Sequence, residues 1–172
     1  MIVYLVRHAI AEDRKTSKKA DAERPLTRDG IDRMKAAVRG LSVLGLAPDL
    51  VLTSPLRRAR ETAAILAAGL GKITLEHLSA LAPGGDPKAV LAALRRRSEL
   101  RSIALVGHQP GMSALAAFLL VGATGRAPSL LFKKGAVACL TIELGSRPRR
   151  ASLEWLLQPG ALRCLGSRRP DR

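Results

Sequence analysis

Aromatic residues are nearly absent from this chain of 172 residues. They make up 2% of the sequence, whereas hydrophobic residues make up 47%. A core without rings must be built from Leu, Val, Ile and Ala, which suits helices packed on a parallel sheet. Nucleic-acid-binding surfaces often stack aromatic side chains on bases, so the scarcity of rings argues against nucleic acid as a partner.

Cysteines and long apolar runs are also scarce. Cys139 and Cys164 form no CxxC pair, which argues against a structural zinc site and against a disulfide framework. The longest apolar runs, such as Ala114 to Val121, are well short of the ~20 residues that cross a bilayer. No secretion signal is recognisable at the N-terminus. We therefore expect a cytoplasmic protein without a membrane span, metal or cofactor.

Acidic residues are outnumbered by basic ones. The chain has 29 Lys and Arg against 14 Asp and Glu, which gives a formal net charge of +15. This excess indicates attraction to phosphate groups, whether on a nucleic acid, an anionic membrane or a substrate. Arg is spread along the whole chain, so a biased genomic composition explains the excess as well. Charge alone does not choose between these alternatives.

Short apolar segments alternate with segments of helical periodicity along most of the chain. This order predicts a three-layer α/β/α sandwich with a mostly parallel sheet. Two successive strands, 136–144 and 152–157, predict one antiparallel strand near the C-terminus. The length predicts a single domain, which we assign to 1–160, followed by a frayed basic tail over 161–172.

Basic side chains follow three of the predicted strands. Arg7 and His8 end the first strand, and His108 follows a strand over 103–106. Arg58 lies near the start of the helix after the second strand, for which Ser54 is the predicted N-cap and Pro55 the first residue. In α/β sheets, ligands bind beyond the carboxyl ends of the strands. Each residue taken alone is equally compatible with a surface cation or a hydrogen-bonded histidine.

Two histidines and two arginines in one crevice suit phosphoryl transfer. Arg binds phosphoryl oxygens with paired donors, and neutral imidazole is a competent nucleophile. At this point the sequence resembles the histidine phosphatase superfamily, and most closely its SixA-type phosphohistidine phosphatases. Four motifs in the right order carry the resemblance: Val6-Arg7-His8-Ala9, Arg24-Pro25-Leu26-Thr27 with Gly30, Ser54-Pro55-Leu56-Arg57-Arg58-Ala59 with Thr62, and Val106-Gly107-His108.

The resemblance implies that His8 is the nucleophile and becomes transiently phosphorylated. Arg7, Arg58 and His108 would hold the phosphoryl oxygens, with Arg24 as a further substrate-binding residue. Phosphate or another oxyanion is then the expected ligand. The expected partner is a protein that carries phosphohistidine, such as a phosphorelay component.

Two positions depart from the family. Ala9 replaces the glycine after the nucleophile, and its methyl group would crowd a backbone with positive φ. Larger members carry an acidic residue after the second helix, and no carboxylate occupies 78–83 here. Asp86 follows this segment and is a possible general acid, although its position before Pro87 also predicts a helix N-cap.

The missing acid bears on the substrate. A sugar alkoxide needs a proton as it leaves, whereas phosphohistidine can be protonated on its other ring nitrogen, because imidazole titrates near ~6.5. We therefore predict a phosphohistidine phosphatase. The alternatives are a broad small-molecule phosphomonoesterase of the same superfamily, a mutase, and a non-catalytic module that binds phosphate or nucleic acid. A metal hydrolase using His8 and His108 lacks a nearby carboxylate cluster.

Overall fold

The computed structural model describes residues 1–122, 130–145 and 150–167, and within them it has one six-stranded sheet and five α-helices. The strands are β1 (Ile2–Arg7), β2 (Leu50–Thr53), β3 (Leu75–His77), β4 (Ser102–Gly107), β5 (Val137–Glu143) and β6 (Arg150–Leu157). The helices are α1 (Arg28–Val43), α2 (Arg57–Gly69), α3 (Pro87–Arg95), α4 (Gly111–Val121) and α5 (Pro159–Ser167).

The sheet has the order β3-β2-β4-β1-β5-β6. Strands β1 to β4 are parallel, and β5 runs antiparallel to both of its neighbours, β1 and β6. The predicted mostly parallel sheet with one antiparallel strand is confirmed. In the central pair, Arg7 on β1 is in register with Gly107 on β4. The residues that follow them, His8 and His108, therefore leave the sheet side by side.

The sheet is covered on both faces, because alternate residues of its strands point to opposite sides. Tyr4 and Val6 of β1 belong to a core cluster with α1, α2 and α5, whereas Val3 and Leu5 belong to a second cluster with α3 and α4. This is the predicted α/β/α sandwich. No helix of the described residues is both long and apolar enough to cross a membrane.

Helix α1 begins as the sequence predicts. The Thr27 hydroxyl accepts a hydrogen bond from the Gly30 amide at 3.0 Å, which satisfies one of the free donors of the first turn. Gly30 itself allows close packing, because a Cβ there would lie 2.0 Å from the Ile10 carbonyl oxygen. The segment that follows His8 therefore passes directly over the start of α1.

The prediction of a frayed tail from residue 161 is wrong for 161–167. These residues belong to α5, which packs on α1 and buries Leu162 completely. A Cβ at Gly40 of α1 would lie 1.9 Å from the Leu162 carbonyl oxygen, so the two backbones approach through glycine. Gly166 makes the same close approach from α5. The domain thus continues beyond residue 160, and 168–172 lie outside the described residues.

The prediction that α2 begins with Ser54 as N-cap and Pro55 as first residue is also wrong. The helix begins at Arg57, and its N-cap residue, Leu56, makes no side-chain capping bond. The Ser54 hydroxyl instead contacts the imidazole of His108. A capping residue was expected because Ser before Pro is a common helix start. The Ser54 hydroxyl accepts a hydrogen bond from the Leu56 amide at 3.3 Å just before the helix, and it makes the tertiary contact with His108 in addition.

Candidate active site

The structure brings the sequence-predicted side chains, with the exception of Asp86, to one cleft of about 310 Å³ beyond the carboxyl end of the sheet. Of the eleven residues around it, five are arginine or lysine, two are histidine and one is acidic. The lining residues are Arg7, His8, Ala11, Arg14, Asp21, Arg24, Arg58, Pro83, His108, Gln109 and Lys134. Such a cleft concentrates anions from solution.

His8 follows directly on β1 and is buried. Its backbone amide donates to the Gly107 carbonyl at 3.0 Å, which extends the pairing of β1 with β4 by one residue. Its Nδ1 lies 2.7 Å from the Ala9 carbonyl oxygen. Because a carbonyl can only accept, Nδ1 carries the ring proton and Nε2 keeps its lone pair. His8 is thus held in the tautomer in which Nε2 can attack an electrophile.

The backbone after His8 is fixed by helix α2. The Ala9 amide donates to Thr62 Oγ1 at 3.0 Å, and the Thr62 hydroxyl donates to the Arg58 carbonyl at 2.7 Å. Lys72 is the non-glycine residue with positive φ among the described residues, so Ala9 does not have that conformation. The methyl group of Ala9 is therefore accommodated without the strain that the departure from glycine suggested.

Two guanidinium groups flank the imidazoles. Arg7 Nη1 donates to the Phe132 carbonyl at 2.6 Å. Arg58 donates from Nη1 to the Asp21 carbonyl at 2.7 Å and from Nη2 to the Asp21 carboxylate at 3.1 Å. The Nε atom of each arginine is buried without a hydrogen-bond partner in the described part of the chain. Each side chain is thus anchored at its tip, and its buried Nε donor is left unpaired by the described residues.

His108 completes the set. Its ring centroid lies 5.0 Å from that of His8, and its Nε2 lies 2.8 Å from Ser54 Oγ. Its Nδ1 is buried and, among the described residues, has no partner. Buried nitrogens without partners are rare in folded proteins. An oxyanion in the cleft would satisfy this nitrogen together with Arg7 Nε and Arg58 Nε.

Both imidazoles are held neutral. Burial, reinforced by His108 and the two nearby arginines, lowers the pKa of His8 from 6.5 to about 3. Burial, with Arg58 as the next contributor, lowers the pKa of His108 from 6.5 to about 4. At neutral pH the positive charge of the cleft therefore resides on the arginines and Lys134. A neutral His8 has the lone pair that a nucleophile needs.

Asp21 is the acidic residue of the cleft, and it is paired. Its carboxylate accepts from Arg24 Nη2 at 2.7 Å and Nε at 3.0 Å, in addition to the bond from Arg58. The bonds from Arg24 are the main reason that the pKa of Asp21 lies below its usual value. Arg24 also donates to the Glu12 carbonyl. Arg24 therefore lines the cleft with most of its donors already bound to protein.

Asp86 lies elsewhere. Its carboxylate accepts from the Lys88 amide at 2.8 Å as the N-cap of α3, and the residue is exposed. In the loop before α3, Pro83 lines the cleft, whereas Asp86 does not. The N-cap prediction for Asp86 is confirmed. Its possible role as a general acid gains no geometric support.

Three residues with a place in the site were not predicted to act in it: Asp21, Ser54, for which the sequence predicts a helix N-cap, and Thr62. The sequence contained no signal for Asp21, which lies in a polar loop without periodicity. Thr62 is four residues after Arg58, and that helical spacing indicated only a shared face. In the described residues, no three His, Cys, Asp or Glu side chains are grouped so that they could hold a metal ion.

Comparison with known proteins agrees with this geometry. Residues 3–82 match the histidine phosphatase superfamily (branch 1). An uncharacterised protein of Picosynechococcus sp. is 42% identical over 127 residues, which cover 73% of this chain and 76% of that protein. The structure of the protein histidine phosphatase SixA complexed with tungstate is 27% identical, with a TM-score of 0.83, and the match covers 94% of this chain and 99% of that one.

A more distant structure shares the fold. It is a mycobacterial glucosyl-3-phosphoglycerate phosphatase in complex with VO3, which is 18% identical with a TM-score of 0.71, over 90% of this chain and 97% of that one. The sequence motifs, the similar relatives and the shared fold agree. This chain belongs to the histidine phosphatase superfamily.

Proposed function

We propose that the protein is a phosphatase that removes the phosphoryl group from phosphohistidine on a partner protein, through a covalent intermediate at His8. The observation that carries the proposal is the neutral His8 ring, whose Nδ1 is bound to the Ala9 carbonyl and whose Nε2 has no hydrogen-bond partner among the described residues. The same part of the chain leaves Arg and His donors of the cleft unpaired. The similar SixA structure, a protein histidine phosphatase with tungstate bound, supports the same substrate class and an oxyanion in the site.

The first chemical step is the transfer of the phosphoryl group to His8. Its Nε2 lone pair forms a bond to phosphorus while the bond from phosphorus to the substrate nitrogen breaks, and the electron pair of that bond leaves with the substrate imidazole. Arg7 and Arg58 carry the charge of the phosphoryl oxygens. In the second step, water attacks the phosphorus of phosphorylated His8, and inorganic phosphate and neutral His8 are released.

The choice of phosphohistidine follows from how the leaving group is protonated. The carboxylate in the cleft belongs to Asp21, which is ionised and bound to Arg24 and Arg58, so it has no proton to give. Asp86 is outside the cleft. A phosphohistidine substrate carries its own proton on the second ring nitrogen, whereas a sugar alkoxide depends on a donor. We therefore favour an N–P bond as the one that is cleaved.

The proposed partner is a phosphohistidine protein of the kind found in phosphorelays, and the proposed location is the cytoplasm. The basic rim of the cleft, with Arg14 and Lys134, supports an acidic protein surface as the docking partner. Nucleic acid and membrane lipid offer phosphodiesters, in which the two non-bridging oxygens share a single negative charge. A terminal phosphoryl group matches the paired arginines better.

The test compares substrates and traps the intermediate. We expect a phosphohistidine protein to be hydrolysed with a higher kcat/KM than phosphoserine peptides or sugar phosphates. We also expect acid-labile phosphate on the enzyme. His8→Ala should abolish both signals, while the matched control His77→Ala, which alters an exposed histidine on β3, should keep them.

Three outcomes would contradict the proposal. Turnover retained by His8→Ala would remove the covalent mechanism. Equal turnover of sugar phosphates and phosphohistidine would favour the alternative, a broad small-molecule phosphomonoesterase of the same superfamily. Acid-stable phosphate on the enzyme would place the intermediate on a hydroxyl and not on an imidazole.

A further inference from the structure

The Ser54 hydroxyl lies at the end of β2, where it links the start of α2 to His108. It accepts a hydrogen bond from the Leu56 amide at 3.3 Å and lies 2.8 Å from His108 Nε2. Ser54 and His108 are both buried, with 0% and 3% of their surfaces exposed. The contact therefore forms inside the protein, where water does not compete for either group.

The direction of this hydrogen bond decides which nitrogen of His108 carries the proton. A hydroxyl has one proton and two acceptor sites. The Leu56 amide occupies one acceptor site. If His108 Nε2 donated to the second acceptor site, the Ser54 hydroxyl proton would be buried without an acceptor. The Leu56 amide and a protonated Nε2 are both donors, so neither could receive it. If Ser54 donates to Nε2, the hydroxyl and Nε2 are both satisfied. The donor left without a partner among the described residues is then Nδ1–H, which an anion in the cleft can satisfy, whereas a buried Ser54 proton could not be satisfied in this way.

The second arrangement has a consequence at the other side of the ring. A neutral imidazole that accepts at Nε2 must carry its proton at Nδ1. This is the nitrogen that is buried and has no partner in the described residues. His108 would then present an N–H donor to the cleft, where an anion can accept it. With the opposite tautomer, Nδ1 would present a lone pair, which repels a phosphoryl oxygen.

We infer that Ser54 is a positioning residue that holds His108 in the Nδ1–H tautomer, so that its ring donates to a phosphoryl oxygen. The inference rests on the proposed phosphoryl site. It gives the Ser54-Pro55 motif a role in the chemistry, in place of the capping role that its sequence suggests. Neutral imidazole in free histidine prefers the opposite tautomer, Nε2–H, so the preference must be imposed by a partner such as this hydroxyl.

The experiment measures the His108 tautomer by ¹⁵N NMR, using the coupling patterns of the ring nitrogens. The chain contains three histidines, so His8→Ala and His77→Ala are sufficient to assign the signals. In the wild-type protein we expect Nδ1 of His108 to be protonated and Nε2 to be unprotonated. A protonated Nε2 in the wild-type protein would overturn the inference without any variant of Ser54.

Ser54→Ala tests whether the hydroxyl imposes the tautomer. We expect the His108 signals to shift toward the Nε2–H form. We also expect tungstate to bind about 10-fold more weakly, and kcat/KM to fall by about 10-fold to 100-fold, by analogy with the loss of the hydrogen-bond partner that orients a metal-binding histidine. Ser54→Cys keeps a weak donor, so its tungstate affinity and kcat/KM should lie between those of the wild-type protein and Ser54→Ala. It serves as a second variant if Ser54→Ala does not fold.

Thr53→Val is the matched control. It removes a buried hydroxyl one residue away, whose proton goes to the Ser54 carbonyl and not to His108. We expect it to keep the wild-type tautomer and tungstate affinity even if it is less stable. If Ser54→Ala loses stability but keeps both the tautomer and the tungstate affinity, Ser54 is merely structural and the inference fails. Tautomer and tungstate binding are read without turnover, so failure of the proposed phosphohistidine activity would be recognised separately.

Discussion

The two buried imidazoles should make the protein lose stability in mild acid. Burial lowers the pKa of His8 to about 3 and that of His108 to about 4, whereas an imidazole in the unfolded chain titrates near 6.5. Above this value both states are neutral, and stability does not depend on these groups. Below it the unfolded chain takes up two protons that the folded protein does not, so the free energy of unfolding falls as the pH falls.

The magnitude follows from the number of protons. Each proton bound only by the unfolded state contributes about 1.4 kcal/mol per pH unit, so two give a limiting slope of about 2.7 kcal/mol per pH unit. Because protonation of the unfolded chain is partial near its pKa, the expected loss between pH 6.5 and pH 5 is about 3 kcal/mol. The contribution of His8 would level off only near pH 3, where the folded state also takes up its proton.

Urea unfolding at several pH values, followed by circular dichroism, measures this slope. Protonation of paired carboxylates such as Asp21 also destabilises the protein in acid. The slope of unfolding free energy against pH in the wild-type protein is therefore compared with the slopes of variants. His8→Gln and His108→Gln should each remove about half of the slope between pH 6.5 and pH 5, and the double variant should remove nearly all of it. A wild-type slope equal to that of the double variant would refute the neutral, buried state of the two rings.

Three further predictions concern the cleft and the packing of the segment that follows His8. Arg58→Ala should lower kcat/KM by about 10² to 10³-fold, the effect of losing one donor to the transition state, whereas Arg57→Ala, which breaks a half-exposed pair, should have little effect in the same assay. Gly30→Ala should lower the free energy of unfolding by about 1 to 3 kcal/mol in urea titrations, because its Cβ would meet the Ile10 carbonyl. Lys134→Glu should weaken the salt dependence of kcat/KM for an acidic phosphoprotein, and an unchanged salt dependence would show that the rim does not steer it.

The sequence was sufficient to predict the sheet because its signals are local. Apolar segments such as 103–106 are bounded by polar or glycine residues, and Thr27 and Asp86 are followed by clear helix starts. The end of each parallel strand then places the next residue at a common edge. The convergence of Arg7, His8, Arg58 and His108 follows from that rule and from the family resemblance, and their chemical roles remain predictions.

The features that were missed depend on contacts between distant parts of the chain. The Ser54 hydroxyl contacts a histidine 54 residues away, and Asp21 contacts Arg58 across 37 residues. The glycines and basic residues of α5 are typical of a loop, so the sequence predicts a tail there. Gly166 instead permits close packing against Gly40. No periodicity or capping rule encodes contacts of this kind.

The pairing of Asp21 with Arg58 gives the cleft an internal counter-ion on a surface segment. Arg58 is a buried residue of helix α2, whereas Asp21 lies on a short 3₁₀ turn, Asp21–Glu23, outside the sheet. A docking protein that displaced this turn would unmask one guanidinium and withdraw one negative charge in the same movement. The attraction for an incoming phosphoryl group would then grow at the moment of contact.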